Sequence, residues 1–221
     1  MLKKIRVWDL PTRVFHWLFA IVIIGALITI NLDETELHAK FGYAAFVLVT
    51  FRIIWGFVGP QHARFSSFVP SIAQVKAFIK HPVYDQLGHN PLGALSVIAI
   101  LFIILLQATT GLFTDDEIIF QGPLSHLVSS TVASFLTGVH EVNSNLIYAL
   151  VGLHFAAIFY YQKVKKENLI QPMLTGDKDV SEETTTPTDL IPSKDHWGVR
   201  GLALLILLVI GVSFYILVIK K

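Results

Sequence analysis

The chain has 221 residues, 53% of them hydrophobic and only 15% charged, with a formal net charge of +1 and a mean hydropathy of +0.62. A soluble domain of this length would intersperse its charges, so the composition implies an integral membrane protein and leaves no basic face for nucleic acid. The absence of cysteine excludes disulfides, thiolate metal sites, iron–sulfur clusters and covalent c-type haem attachment within this chain.

The first apolar run follows a basic segment, MLKKIRVWDLPTR, and has the look of a secretory signal. It is long for a signal core and leads into Asn31-Leu32-Asp33-Glu34 without a small-x-small cleavage pattern, so it is expected to be a retained span. Run lengths predict five spans, over residues 12–31, 38–58, 92–113, 144–163 and 199–219. Each is expected to be helical, because a lipid-exposed backbone must satisfy itself and no alternating strand pattern is present. Pro11 and Pro91 suit first helical turns.

Between the second and third spans, Ile72, Val75, Phe78 and Ile79 recur at helical spacing beside Lys76 and Lys80, which predicts a short amphipathic helix. The loop after the third span carries Asp115-Asp116-Glu117 and then a mildly apolar stretch, Leu124–Phe135, expected to cap the bundle. Residues 175–198, rich in Thr, Asp, Glu and Pro, read as a flexible linker. The domain organisation expected is therefore a four-span unit over 1–174, the linker, and an additional span over 199–221. With the N-terminus cytoplasmic, thirteen Lys and Arg residues fall on the inner side and three, Lys40, Lys220 and Lys221, on the outer side.

Nine histidines are present, and an ionisable group within a span is costly unless something compensates. His140 and His154 are fourteen residues apart on the fourth span. That is about 40° short of four turns and about 21 Å of rise, so both rings face one interior at two depths. His38 opens the second span at the level of His140, and His16 lies in the first at the level of His154. Two bis-histidine sites follow, His38 with His140 and His16 with His154, suited to two haems stacked across a helical bundle.

Gly42 shares a helical face with His38, while Gly138 and Gly152 precede the fourth-span histidines by two positions; small residues of this kind let a flat macrocycle approach the backbone. Arg52, fourteen residues after His38, and Arg13 are candidates to pair with haem propionates, and snorkelling to lipid phosphates is the competing reading for Arg52. His62, His81, His89, His126 and His196 fall in loops and are expected to be solvated, with His126 the one substitute for His140. Trp8, Trp17, Trp55, Trp197, Tyr160 and Tyr161 are expected to form an interfacial aromatic belt.

The segments VWDLPTRVFHW, LHAKFGYAAFVLVTFRIIWGFVGPQHARFSSF, GHNPLGALSV, TGLFTDDEIIFQGPL, VHEVNSNLIYALVGLHFAAIFYY and KKENLIQPMLTG occur in this order over residues 3–178. In these motifs the sequence resembles the bacterial cytochrome b561 and nickel-iron-hydrogenase b-type cytochrome family. The resemblance implies a four-helix core holding two non-covalent b-type haems, with His16, His38, His140 and His154 as axial ligands. It fades beyond residue 178, where the fifth span resembles the hydrogenase-type branch.

Together these readings predict an all-α transmembrane four-helix bundle binding two haems, plus a fifth C-terminal transmembrane helix. It is expected in the bacterial cytoplasmic (inner) membrane, multi-pass, carrying electrons between the quinone pool and a redox partner. That partner is expected to be a periplasmic hydrogenase, a dehydrogenase or a cytochrome c. Whether the chain is itself a quinol oxidoreductase or the membrane subunit of an oxidoreductase complex stays open at this point. The alternative is a histidine-based proton or transition-metal transporter without haem, which predicts broken helices and a polar pathway. Polar residues within the spans are few apart from Arg52, Gln107 and hydroxyls.

Overall fold

The computed structural model describes residues 2–82, 87–115, 120–181 and 191–220. The elements are β1 (Leu2–Arg6), α1 (Leu10–Asn31), α2 (Thr35–Val58), a one-turn α3 (Phe65–Phe68), α4 (Ile72–Lys80), α5 (Pro91–Gly111), α6 (Ser130–Lys163), a short α7 (Ile170–Thr175), β2 (Asp177–Ser181) and α8 (Trp197–Phe214), which continues as a π-helical turn over Tyr215–Ile219. Among the described residues five helices, α1, α2, α5, α6 and α8 with its π turn, are long and apolar enough to cross a membrane. The all-α membrane fold expected from run lengths is the fold observed, with one small antiparallel β1–β2 pair added.

The chain divides into two compact units whose boundaries cut across the spans. The first comprises residues 1–14, 54–99 and 152–203, the second residues 15–53, 100–151 and 204–221.

In the first unit, Ile5, Val7, Trp8 and Leu87 form a buried cluster against Met173 and Val180. Asp9 starts α1 as its N-cap, accepting from Thr12 N at 2.9 Å and Thr12 Oγ1 at 2.8 Å, while Trp55 Nε1 donates to it at 3.3 Å. That bond explains why Trp55 is 1% exposed, and the apolar cluster just described buries Trp8, where an interfacial belt was expected for both; Trp17 and Trp197 are exposed as a belt requires. His89, expected to be solvated, packs between Trp8 and Phe68 with ring centroids 4.7 and 4.9 Å away. The predicted amphipathic helix forms as α4, closed at its N-terminus by a Ser71/Gln74 capping box.

The segment expected to be a free linker is tied down in its described parts; residues 182–190 lie outside them. β2 pairs with β1 from Leu2↔Ser181 to Arg6↔Asp177, and Ser193 donates from N to the Arg6 carbonyl at 2.7 Å and from Oγ to the Val7 carbonyl at 2.6 Å. Gly176, at φ 92°, takes the left-handed conformation that ends α7, and its carbonyl accepts from Val7 N and Trp8 N. Asp195, whose side chain is 4% exposed, faces Arg6 at 2.7 Å, Arg200 at 3.0 Å and Arg13 at 3.9 Å. It also accepts from the backbone N–H of Leu10, so a residue from the far end of the chain helps cap α1.

In the second unit, α1 and α2 are joined by a tight turn through Asp33, at φ 59°, with Glu34 N donating to the Thr29 carbonyl at 2.9 Å. Asn31 Nδ2 reaches Tyr148 Oη of α6 at 2.6 Å. Phe214 of α8 packs on Tyr43 and Phe46 of α2. The largest departure from expectation is α6, which begins at Ser130 rather than near residue 144 and spans 34 residues, about 51 Å at helical rise. Apolar run length detects only the part that matches lipid, whereas Ser129 starts the helix earlier by accepting from Ala133 N through its carbonyl. The anticipated cap segment is thus a 3-10 turn, Ser125–Leu127, followed by the first turns of α6. Thr137 Oγ1 accepts from Asp115 N at 3.1 Å and pins the preceding loop to α6; Asp116 and Glu117 lie outside the described residues.

Candidate functional site

Two of the four candidate histidines meet in the second unit. His38, in the first turn of α2, and His140, ten residues into α6, have ring centroids 6.2 Å apart with planes at 89°. Each ring is held through Nδ1 by a main-chain carbonyl: His38 by Ala26 O of α1 at 2.9 Å, His140 by Gln107 O of α5 at 3.0 Å. A carbonyl only accepts, so Nδ1 carries the proton in both rings, and in the neutral imidazole this leaves Nε2 as the nitrogen with the lone pair. This is the tautomer of a metal-ligating histidine whose second nitrogen is anchored by a backbone carbonyl.

The separation has a definite meaning for such a donor pair. A metal–imidazole bond is about 2.0–2.1 Å and the ligating nitrogen lies about 1.1 Å from its ring centre, so two imidazoles on opposite sides of one metal have centroids about 6.3 Å apart. The observed distance agrees with that arrangement, and the donor set therefore fits the two axial positions of one haem iron. A Cβ added at Gly42, one turn after His38, would meet nothing within 4 Å, which is the open space a macrocycle edge needs.

Several residues that shape this site escaped the sequence reading. At the C-terminal end of α5, Gly111 lies directly under His140, and a Cβ built there would come 2.9 Å from Cε1 of the ring. Only glycine lets the imidazole cross α5 at that height. Thr110 Oγ1 is 3.2 Å from His140 Nδ1, and Asn143 Nδ2 donates to Ile103 O at 3.0 Å and Gln107 Oε1 at 2.7 Å. The signal in the sequence was a polar set, Gln107, Thr110 and Asn143, within otherwise apolar helices; its use became visible only once α5 and α6 were paired.

His16 belongs to the second unit and sets its ring edge-on to Trp17, with centroids 5.1 Å apart, whereas His154 belongs to the first and lies edge-on to Phe155. Arg52 of the second unit is 3% exposed, so its guanidinium is enclosed by protein and does not snorkel. Arg13 of the first unit has two of its nitrogens engaged: Nη1 donates to Leu174 O at 2.6 Å, and Nη2 faces Asp195. Its Nε is buried without a hydrogen-bond partner among the described residues. His126 is exposed in its 3-10 turn. Open space also adjoins Gly138 and Gly152.

Residues 7–176 match the family of prokaryotic cytochromes b561. The chain belongs to this family. As a member it is a b-type cytochrome, a multi-pass bacterial membrane protein that carries haem b and transfers electrons. Among curated proteins, this cytochrome is similar to a probable Ni/Fe-hydrogenase B-type cytochrome subunit of Rhizobium leguminosarum bv. viciae. The two are 21% identical over 214 aligned residues, covering 80% of this chain and 89% of that protein. The family match ends at residue 176, just before β2, so the cytochrome's 182–190 segment and α8 lie beyond it.

Proposed function

We propose that this cytochrome holds two haems b, each between two histidines, His38 with His140 and His16 with His154, and carries electrons between the quinone pool and a redox partner. The observation that carries the reading is the His38–His140 pair: two Nδ1-anchored imidazoles at the spacing one iron requires. The second pair is supported by the fourteen-residue period on α6 and by the matching depth of His16 in the sequence.

Haem b supplies a one-electron iron couple when bound. The chain's own residues do the rest. His38 and His140 would hold the iron through their Nε2 atoms, and an iron so held would carry electrons rather than bind oxygen. Ile104 and Ala108 of α5 and Ile147 of α6 are buried in the same unit, the apolar surround that such a site requires. Arg52, enclosed in that unit, is the cation proposed for a propionate, and Arg13 is the weaker candidate because Leu174 and Asp195 already engage it.

The N-terminus is placed in the cytoplasm on the distribution of Lys and Arg, and the membrane is proposed to be the inner one. The name of the Rhizobium relative favours a hydrogenase, or another dehydrogenase, as electron donor, with this chain as its membrane subunit. A stand-alone quinol oxidoreductase serving a cytochrome c is the second form of the same reading.

A reduced-minus-oxidised spectrum with a haem-to-polypeptide ratio tests the site. The expected ratio is about two, and it should fall to about one in His140→Ala. A ratio unchanged by His140→Ala would refute the ligand assignment, and a colourless wild-type preparation would leave the proton or metal transporter. Rapid reduction of the haem by added quinol, read by stopped-flow absorbance, tests the quinone connection.

A further inference from the structure

His38 and His140 are not held alike. Among the described residues, Nδ1 of His38 has a single acceptor, the Ala26 carbonyl, whereas Nδ1 of His140 faces both the Gln107 carbonyl and Thr110 Oγ1. The Thr110 hydroxyl lies 2.9 Å from Leu106 O and 3.0 Å from Gln107 O. Both of these are carbonyls, so its one hydrogen is spent on the main chain of α5. What it turns toward His140 is a lone pair, and the Nδ1 proton of that imidazole is shared between two acceptors.

One turn further along α6, Asn143 is 3% exposed and donates to Ile103 O and Gln107 Oε1 of α5. This strut fixes the approach of α6 to the same turn of α5 that carries Gln107 and Thr110. The ring of His140 is thereby set in angle by Thr110 and in distance by Asn143.

An imidazole whose Nδ1 proton is drawn harder toward acceptors is a more electron-rich donor at Nε2, and a richer donor favours the oxidised, more positively charged metal. We infer that Thr110 is a positioning residue for His140 and lowers the reduction potential of the haem that His140 holds, making the two axial imidazoles of that site electronically unequal. The inference rests on the proposed His38–His140 ligation.

The test uses full-length protein in detergent or nanodiscs, as wild type, Thr110→Val and Thr110→Ser. Haem content, equilibrium redox titration and the low-spin electron paramagnetic resonance signal are read for each. Losing one acceptor from Nδ1 should change the oxidised-to-reduced ratio of one haem component, at a fixed ambient potential, about threefold to tenfold toward the reduced form. The other component should stay in place, and Thr110→Ser should restore the wild-type curve. The component that moves is identified as the one missing from His140→Ala.

Should Thr110→Val incorporate haem poorly, Thr110→Ala is titrated instead. Loss of one haem from both variants with full occupancy in Thr110→Ser would equally support the positioning role. Unchanged titrations in Val and Ala variants of full haem content would overturn the inference, as would a shift in Thr110→Ser equal to that in Thr110→Val. Failure of the underlying ligation reads differently: His140→Ala would then keep its full haem complement whatever Thr110 does.

Discussion

Two polar clusters of this cytochrome are built from different chemistry. Around His140, in the second unit, the hydrogen-bonding partners are uncharged: a threonine hydroxyl, two side-chain amides and main-chain carbonyls. In the first unit, the strand pair and the start of α1 are held by full charges, with Asp195 and Asp177 set against Arg6, Arg13 and Arg200. Membrane-crossing segments tolerate neutral hydrogen bonds at modest cost, whereas an ion there must be matched or removed from lipid. Among the described residues, this charged cluster accordingly lies at span ends and outside the spans, while the two facing imidazoles are held by groups that do not titrate. The neutral cluster should therefore respond to shape, and the charged cluster to pH and salt.

The strongest way to break that contrast is steric. Gly111→Leu puts a side chain where even a Cβ would stand 2.9 Å from the His140 ring, and the ring cannot move without giving up Gln107 O and Thr110 Oγ1. With His140 a haem ligand as proposed, haem content should fall as far as it does in His140→Ala. Gly42→Ala, where a Cβ meets no protein atom within 4 Å, should retain far more haem. Haem-to-polypeptide ratios of the two variants decide the point; equal retention in both would mean that His140 does not depend on the glycine beneath it.

The charged cluster should fail differently. Asp195→Ala leaves three arginines without their shared carboxylate and removes the acceptor for Leu10 N–H. Because the arginines are partly exposed, the loss should be about 1–3 kcal/mol rather than that of a fully buried pair. It should appear as a lower melting temperature and faster amide exchange over residues 2–6 and 177–181, with the haem ratio unchanged. A variant that lost haem while keeping β1–β2 protection would show that the two clusters are coupled after all.

How much of this was readable beforehand depended on which force set each feature. The five spans were legible because lipid imposes a length and a composition on each. His38 and His140 could be set at one depth because helical rise is fixed, so counting residues is measuring distance, and their ring centroids lie 6.2 Å apart. The start of α6 was not legible: residues 130–143 are polar enough to escape a hydropathy window, yet nothing in them stops a helix. Trp55 was misread because an indole near a span end suits an interface equally well, and only Asp9, 46 residues away, reveals its hydrogen bond. Gly111, and the use made of Thr110, were hidden for the same reason, since each acts on a ring about thirty residues along the chain. The β1–β2 pair joins residues about 170 apart through short, charged strands that carry little alternating pattern.

Acid gives the finest test of the contrast. The Arg6 guanidinium holds the Asp177 carboxyl below its ordinary value. Burial pushes Asp195 up, but hydrogen bonds from Arg200, Leu10 N–H and Arg6 outweigh it and leave Asp195 lowered as well. A carboxylate whose folded pKa is depressed contributes stability above its unfolded pKa, about 3.9 for Asp, and that contribution is lost as pH falls through the folded value. Asp9 runs the other way. Burial raises it despite the bonds from Thr12 and Trp55, so its contribution is complete below the unfolded pKa and declines as pH rises through the folded one. Acidification below about pH 4 should therefore loosen β1–β2 and the Asp195 cluster while easing the cost of Asp9 at the head of α1. Exchange protection at Lys3, Ile5 and Val180 should fall with pH over that window, more steeply than protection at Phe15 and Phe19 in α1. In Asp195→Asn, which cannot titrate, the fall should be shallower. Parallel loss at both places, or the same slope in the variant, would mean that the ion pairs do not set the acid response of this end of the protein.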